Sequence, residues 1–147
     1  MMKSLLAASA AAIIAMSLPA FAEGDAAKGE KTFKKCKSCH MIKAPDDKIL
    51  VKGGKAGPNL YGIIGRTAGS VEDARYSKPM QAAGEAGLVW DEENLAVFVA
   101  DPKAFLTEVT GDSGARSNMS LKLRKGGEDV AAYLAGFSDS ADSSLAE

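Results

Sequence analysis

The sequence predicts an all-α domain, with helices at its two ends and long irregular connections between them. Three observations lead there. Helical patterns with start and stop signals bracket the chain, one opening near Asp25 and one closing at Gly136. No pair of segments shows the polar/apolar alternation of a half-buried strand. The stretch from Met41 to Arg75 is irregular, with glycines at 53, 54, 57, 62, 65 and 69 and prolines at 45 and 58. A loop that long is unusual in a compact domain, unless it wraps a body that buries its apolar side chains.

That body is indicated by Cys36-Lys37-Ser38-Cys39-His40, a C-x-x-C-H that holds both cysteines and the one histidine of the 147 residues. Two thiols three residues apart lie on one face of a helical turn. There they can add across the two vinyl groups of a haem, leaving thioether bonds with His40 beneath the iron as an axial ligand. Other uses of the motif fit less well. A structural zinc site takes four ligands, and the chain has three Cys and His residues in all. A thioredoxin-like pair sits beside a βαβ pattern, which is absent from the sequence. A disulfide is possible in an oxidising compartment but leaves the adjacent histidine unexplained.

Residues 1–22 read as a secretory signal peptide. Lys3 supplies the positive start, Leu5 to Leu18 is nearly all apolar, and Ala20-Phe21-Ala22 gives a small-x-small cleavage pattern. The apolar run is short for a membrane span, so cleavage after Ala22 is expected over retention as an anchor. Export to the periplasm agrees with covalent haem. The mature chain is then one domain over residues 23–137, followed by an acidic, serine-rich tail over 138–147 expected to be disordered. Loss of Lys3 takes the 18 basic side chains to 17 against 19 acidic ones. A net charge near −2 argues against nucleic acid as a partner.

Glu23 to Lys37 predicts a first helix, capped by Asp25, with Ala26, Gly29 and Phe33 on the inner face. Gly29 costs about 1 kcal/mol against alanine inside a helix, which suggests that another helix approaches closely there. A short helix is expected around Ser77 to Gly84, stopped by Gly84 or Gly87. Asp91-Glu92-Glu93 opens the next, with a cap and two acids favoured by the helix dipole. Leu95, Phe98 and Val99 form its inner face and Asp101-Pro102 stops it. Pro102 begins another through Phe105 and Leu106. Thr110 to Leu121 is irregular, and Glu128 to Ala135 is the last helix.

One histidine excludes a bis-histidine iron, so the sixth position falls to Met, Lys, water or nothing. In the mature chain Met41, Met80 and Met119 are the sulfur candidates. Met41 adjoins His40 and cannot reach the opposite face of the ring. Met80 lies on a short helix, where core packing accounts for it. Met119 sits among polar residues in Arg116-Ser117-Asn118-Met119-Ser120-Leu121 and is favoured, with Met80 still open.

The chain resembles the class I c-type cytochromes, close to the soluble cytochrome c2 group of bacteria, over nearly all of Glu23 to Phe137. The resemblance rests on the C-x-x-C-H, Gly57-Pro58-Asn59-Leu60-Tyr61-Gly62, Gly65-Arg66-Thr67-Ala68-Gly69, Trp90-Asp91-Glu92-Glu93, Asp101-Pro102 and Ser117-Asn118-Met119. It implies a single-domain fold with N- and C-terminal helices packed together through Gly29 and Tyr133, around one haem c bound through Cys36 and Cys39. It makes His40 and Met119 the metal ligands. It gives Pro58 the carbonyl that accepts from His40 Nδ1–H, and sets Arg66, Tyr76 and Trp90 around a haem propionate. One position departs from the family. Phe98 stands where tyrosine is usual near the ligand sulfur, which is expected to lower the reduction potential.

The function implied is a periplasmic one-electron carrier and not an enzyme. Its partners would be membrane redox complexes, a cytochrome bc-type donor and a photosynthetic reaction centre or terminal oxidase. Docking is expected through Lys34, Lys35, Lys37, Lys122 and Lys125, with Arg124 among them, on a protein expected to be monomeric. The alternative is a haem enzyme or sensor, peroxidase-like, in which Met119 leaves the iron; it lacks a second histidine to serve as distal acid or base. A domain permanently docked in a larger complex is a third reading.

Overall fold

The computed structural model describes residues 23–139. The signal over 1–22 and the tail beyond Asp139 lie outside the described residues. The element order is α1 (Ala26–Phe33), β1 (Ile42–Lys43), β2 (Ile49–Val51), α2 (Lys78–Glu85), α3 (Glu92–Ala100), α4 (Pro102–Thr110) and α5 (Gly127–Ala135).

α1 is shorter than the predicted Glu23–Lys37. Asp25 is extended (φ −94°, ψ 107°), and its carboxylate accepts from the Ala27 and Lys28 amides, so the helix starts at Ala26. After Phe33 the backbone tightens into i→i+3 bonds, Lys35 N to Thr32 O and Cys36 N to Phe33 O, which turn Cys36 inward. Phe33 and Gly29 are buried as expected; Ala26 is exposed.

α1 packs on α5 at Gly29. A Cβ there would fall on the Asp129 carbonyl oxygen and lie 2.8 Å from Tyr133 Cβ. The same crossing packs Phe33 at a tilt against Tyr133, ring centroids 5.5 Å apart, and Tyr133 edge-to-face with Phe137 at 5.0 Å. Asp129 Oδ1 accepts from Asp25 N at 2.7 Å, tying the first residues of the domain to the first turn of α5. The inner side of α5, Val130, Ala131 and Leu134, is buried against α1 and α3. Burying a large apolar side chain contributes about 1.5–3 kcal/mol, so this crossing outweighs the about 1 kcal/mol that Gly29 costs its helix.

The fold is mostly helical as expected, and the middle of the chain adds a small two-stranded sheet and an isolated antiparallel bridge between Thr67 and Val89. β1 and β2 pair antiparallel with an irregular register, Ile42 opposite Val51 and Lys43 opposite Ile49. The turn is Ala44-Pro45-Asp46-Asp47-Lys48, with Asp47 left-handed at φ 66° and bonds Ala44 N to Lys48 O and Asp47 N to Ala44 O. Proline presets one turn dihedral and aspartate tolerates the left-handed one, which suits both to this position. Strands of two and three residues, with Ile49 and Leu50 both exposed, carry no alternation for a sequence pattern to reveal.

α2, α3 and α4 start where the sequence predicts, and each has a side-chain cap. Ser77 accepts from Met80 N, and Asp91 and Asn94 form a reciprocal capping box. Asp101 accepts from Ala104 N ahead of Pro102. α4 runs to Thr110, beyond the expected Phe105-Leu106, and closes on left-handed Gly111. Leu95, Phe98, Phe105 and Leu106 fill the core with Trp90 and Met80, while Val99 is half-buried. Among the described residues no helix is long and apolar enough to cross a membrane.

The α1–α5 crossing sets a clear test. Gly29→Ala gains helix propensity but drives a methyl into a main-chain carbonyl that has no rotamer to yield. We expect a net loss of about 1–3 kcal/mol, read as a lower guanidinium midpoint of the holoprotein. A higher midpoint would show that Gly29 is merely tolerated.

Candidate haem site

The C-x-x-C-H hangs from the end of α1. His40 N bonds Cys36 O at 3.0 Å and Cys39 N bonds the same oxygen at 3.2 Å, one turn of helix that brings the two cysteines and the histidine together. Cys36 is buried and Cys39 exposed. Burial pushes the Cys36 thiol up, Cys39 beside it adds to this, and Lys35 opposes both.

The glycine-rich loop lies directly on this turn. Gly54 N donates to Lys37 O and Gly57 N to Cys39 O, both at 2.8 Å. A Cβ at Gly57 would press on the His40 ring, 2.7 Å from Nδ1, so glycine is what lets the loop lie flat on the imidazole. The next residue then orients it: His40 Nδ1 lies 2.8 Å from the Pro58 carbonyl oxygen. An oxygen acceptor requires the proton on Nδ1, which leaves the Nε2 lone pair for a metal. Burial lowers the His40 pKa, only partly opposed by the Pro58 bond, and so favours the neutral ring that ligation needs.

Asn59 ties this loop to its surroundings. The residue lies within the Gly57–Gly62 motif, but its type alone assigns it no such role. Its side chain accepts from Lys43 N at 2.9 Å and donates to Lys43 O at 2.8 Å, binding the loop to β1. Its carbonyl accepts from Arg66 Nη1 at 2.9 Å, and Arg66 Nη2 donates to Tyr61 O. Arg66 is therefore a half-buried cation held by neutral carbonyls. Burial lowers its pKa, with Tyr76 close enough to act in the opposite direction.

Trp90 is joined to Arg66 by backbone, Trp90 N to Arg66 O at 2.9 Å, with Gly65 N to Trp90 O at 2.7 Å beside it. Its ring packs on Phe98 and Phe105 at 5.1 and 5.7 Å. The structure thus brings Arg66, Tyr76 and Trp90 into one neighbourhood. Tyr76 Oη accepts a long bond from Val71 N at 3.4 Å.

Met119 is half-buried against the core. Its loop is tied to the Tyr76 segment by Asn118 Nδ2 donating to Arg75 O at 3.2 Å, and to α3 by Leu123 N donating to Val99 O at 2.7 Å. Met119 also borders a groove of about 230 Å³ with Pro102 and Lys103, of which His40 is not a wall. Met80, the other sulfur candidate, is buried on α2.

Comparison with known proteins decides the family. The cytochrome c family model matches residues 26–108. The chain is 54% identical over 134 residues to cytochrome c2 of Rhodobacter capsulatus, covering 91% of this chain and 97% of that one. The chain belongs to the cytochrome c family. Within it the relatives are of the bacterial c2 group: it is also 50% identical over 138 residues to cytochrome c-550 of Paracoccus versutus, 92% of this chain and 90% of that one. The crystal structure of the Rhodobacter capsulatus cytochrome c2 superposes with a TM-score of 0.75 at 57% identity, over 76% of this chain and 97% of that chain. Ferric cytochrome c-550 from Paracoccus versutus gives 0.76 at 52%, over 78% and 98%.

The cofactor of this cytochrome is one covalent haem c. The residues fit it on physical grounds. Paired thiols and an imidazole with its Nδ1 engaged form the donor set of a c-type attachment. Arg66 has guanidinium donors left over in a setting where an anionic group would offset the cost of its burial.

Proposed function

We propose that this cytochrome, cut after Ala22 and running from Glu23, is a soluble periplasmic one-electron carrier. In this reading it moves electrons from a cytochrome bc-type complex to a photosynthetic reaction centre or terminal oxidase. The observation that carries it is the His40–Pro58 hydrogen bond, which commits Nδ1 and reserves Nε2 for iron. When bound, the haem supplies a one-electron iron couple.

The chain's own residues then set how that couple is used. Cys36 and Cys39 would fix the cofactor in place, and His40 and Met119 would both ligate its iron, leaving no open site for a substrate. Thioether sulfur is soft and favours the reduced iron. Arg66, with Tyr76 and Trp90, holds a propionate that would otherwise be an uncompensated charge. The folded domain spans residues 23–137, with the acidic tail after it.

Docking falls to exposed lysines. Lys34, Lys35 and Lys37 crowd the attachment turn, and Lys125 lies beyond Met119; all four are exposed. Lys122 is exposed too, but its ammonium is already bound to Asp101 at 2.8 Å. A positive front on a slightly acidic protein orients encounter with an acidic partner, and salt weakens that steering beyond a Debye length of about 8 Å.

Two measurements on the purified holoprotein test the carrier reading together. The ferric protein should show the weak sulfur-to-iron charge-transfer band, and the reduced protein should bind carbon monoxide slowly at neutral pH. Rapid carbon monoxide binding would support the peroxidase-like alternative. Association with an acidic redox partner should slow as salt rises; indifference to salt would remove the lysines from docking.

Phe98 bears on the potential. Its ring is buried in the Trp90–Phe98–Phe105 cluster and donates no hydrogen bond. Phe98→Tyr restores a hydroxyl able to draw electron density from the Met119 sulfur. A hydrogen bond worth about 0.5–1.5 kcal/mol corresponds to about 20–60 mV for one electron. The midpoint potential should rise by that order; no change, or a fall, sinks the idea.

A further inference from the structure

We propose that Lys122 and Asp101 form a clamp holding the Met119 loop against the start of α4, making them positioning residues for the second axial ligand. The inference rests on the reading of Met119 as that ligand.

The groove beside Met119 has two walls from different elements. Pro102 and Lys103, the first residues of α4, form one; Arg116, Met119 and Lys122, from the loop, form the other. The ion pair bridges these same elements, Lys122 Nζ to Asp101 Oδ2 at 2.8 Å. Asp101 is itself held in place, since its Oδ1 caps α4 by accepting from Ala104 N at 3.1 Å. The anchor therefore belongs to the helix and not to a free side chain.

The rest of the loop makes this bridge matter. Asn118 is fastened to Arg75 and Leu123 to Val99, so the segment free to swing is short and carries Met119 and Lys122. Met119 N also donates to Ser117 Oγ at 3.1 Å, a local tie across the Asn118 anchor that leaves Lys122 and the far half of the segment to the ion pair. Three cations, Lys103, Arg116 and Lys122, line the groove, and their repulsion favours opening. The Asp101 carboxylate at its edge opposes it. The pair is part-exposed, with side-chain exposures of 43% and 39%, so its effect is limited to about a two- to fivefold change in the opening equilibrium.

The clamp also gives Lys122 a function distinct from that of Lys34, Lys35 and Lys37. A carboxylate on a docking partner that drew Lys122 away from Asp101 would loosen the methionine. Encounter and ligand strength would then be linked through one ammonium group.

The test uses ferric holoprotein and the rate at which added imidazole displaces the sulfur, followed by loss of the charge-transfer band. At saturating imidazole that rate reports opening of the loop. Asp101→Asn removes the charge while keeping a good helix cap, and Lys122→Gln removes the other partner. Each should speed opening two- to fivefold, the double variant no more than either single, and Lys122→Arg should stay near wild type. Salt should accelerate opening in the wild type and not in Asp101→Asn. Singles at the wild-type rate, or effects that multiply in the double variant, overturn the clamp while leaving Met119 as ligand. Absence of the charge-transfer band in the wild type overturns the ligand assignment and the clamp with it.

Discussion

The structure depends on the close crossing of α1 and α5. Gly29 brings a bare backbone against the Asp129 carbonyl, and the aromatic rings of Phe33, Tyr133 and Phe137 fill the space beside it. The crossing fixes the direction in which α1 ends. Because Cys36 lies three residues beyond Phe33, it also fixes where the attachment turn begins. A shift of one residue in this contact would turn both cysteines and the histidine together, away from the loop that lies on them.

From that fixed point the two sides of the site are built differently. On the proximal side the loop from Gly53 to Asn59 is laid onto the C-x-x-C-H by main-chain hydrogen bonds at Gly54 and Gly57, and Pro58 orients the ring. These contacts use backbone atoms, which have few alternative positions. The Met119 side is held instead by one amide bond at Leu123, one asparagine and one ion pair. Side-chain ties of this kind are weaker and more sensitive to solvent.

Between them, Arg66 illustrates how a charge can be placed inside a small domain. Two carbonyls orient the guanidinium but do not neutralise it, and burial weighs against its charge. That arrangement is costly unless an anion completes it. Asn59 serves both sides, since its side chain grips β1 while its carbonyl receives Arg66.

Much of this protein is legible in its sequence. The C-x-x-C-H states its own chemistry because three reactive groups lie within five residues. The helix starts at Asp25 and Asp91 are readable because a cap is a local interaction between a side chain and amides two or three residues on, and the start of α4 because proline suits the first helical position. Gly29 announces a close approach through the cost it imposes on its own helix. The end of α1 is not readable in the same way, since the lysine-rich stretch through Lys37 is compatible with helix and only the need to turn Cys36 inward ends it at Phe33. The β1–β2 hairpin escapes for want of length. What only the tertiary structure decided are the pairings across long sequence separations: Asn118 with Arg75, Lys122 with Asp101, and Asn59 with both Lys43 and Arg66. Each joins ordinary polar residues whose types say nothing of their partners, and distance in space, which the fold alone sets, is what selects among them.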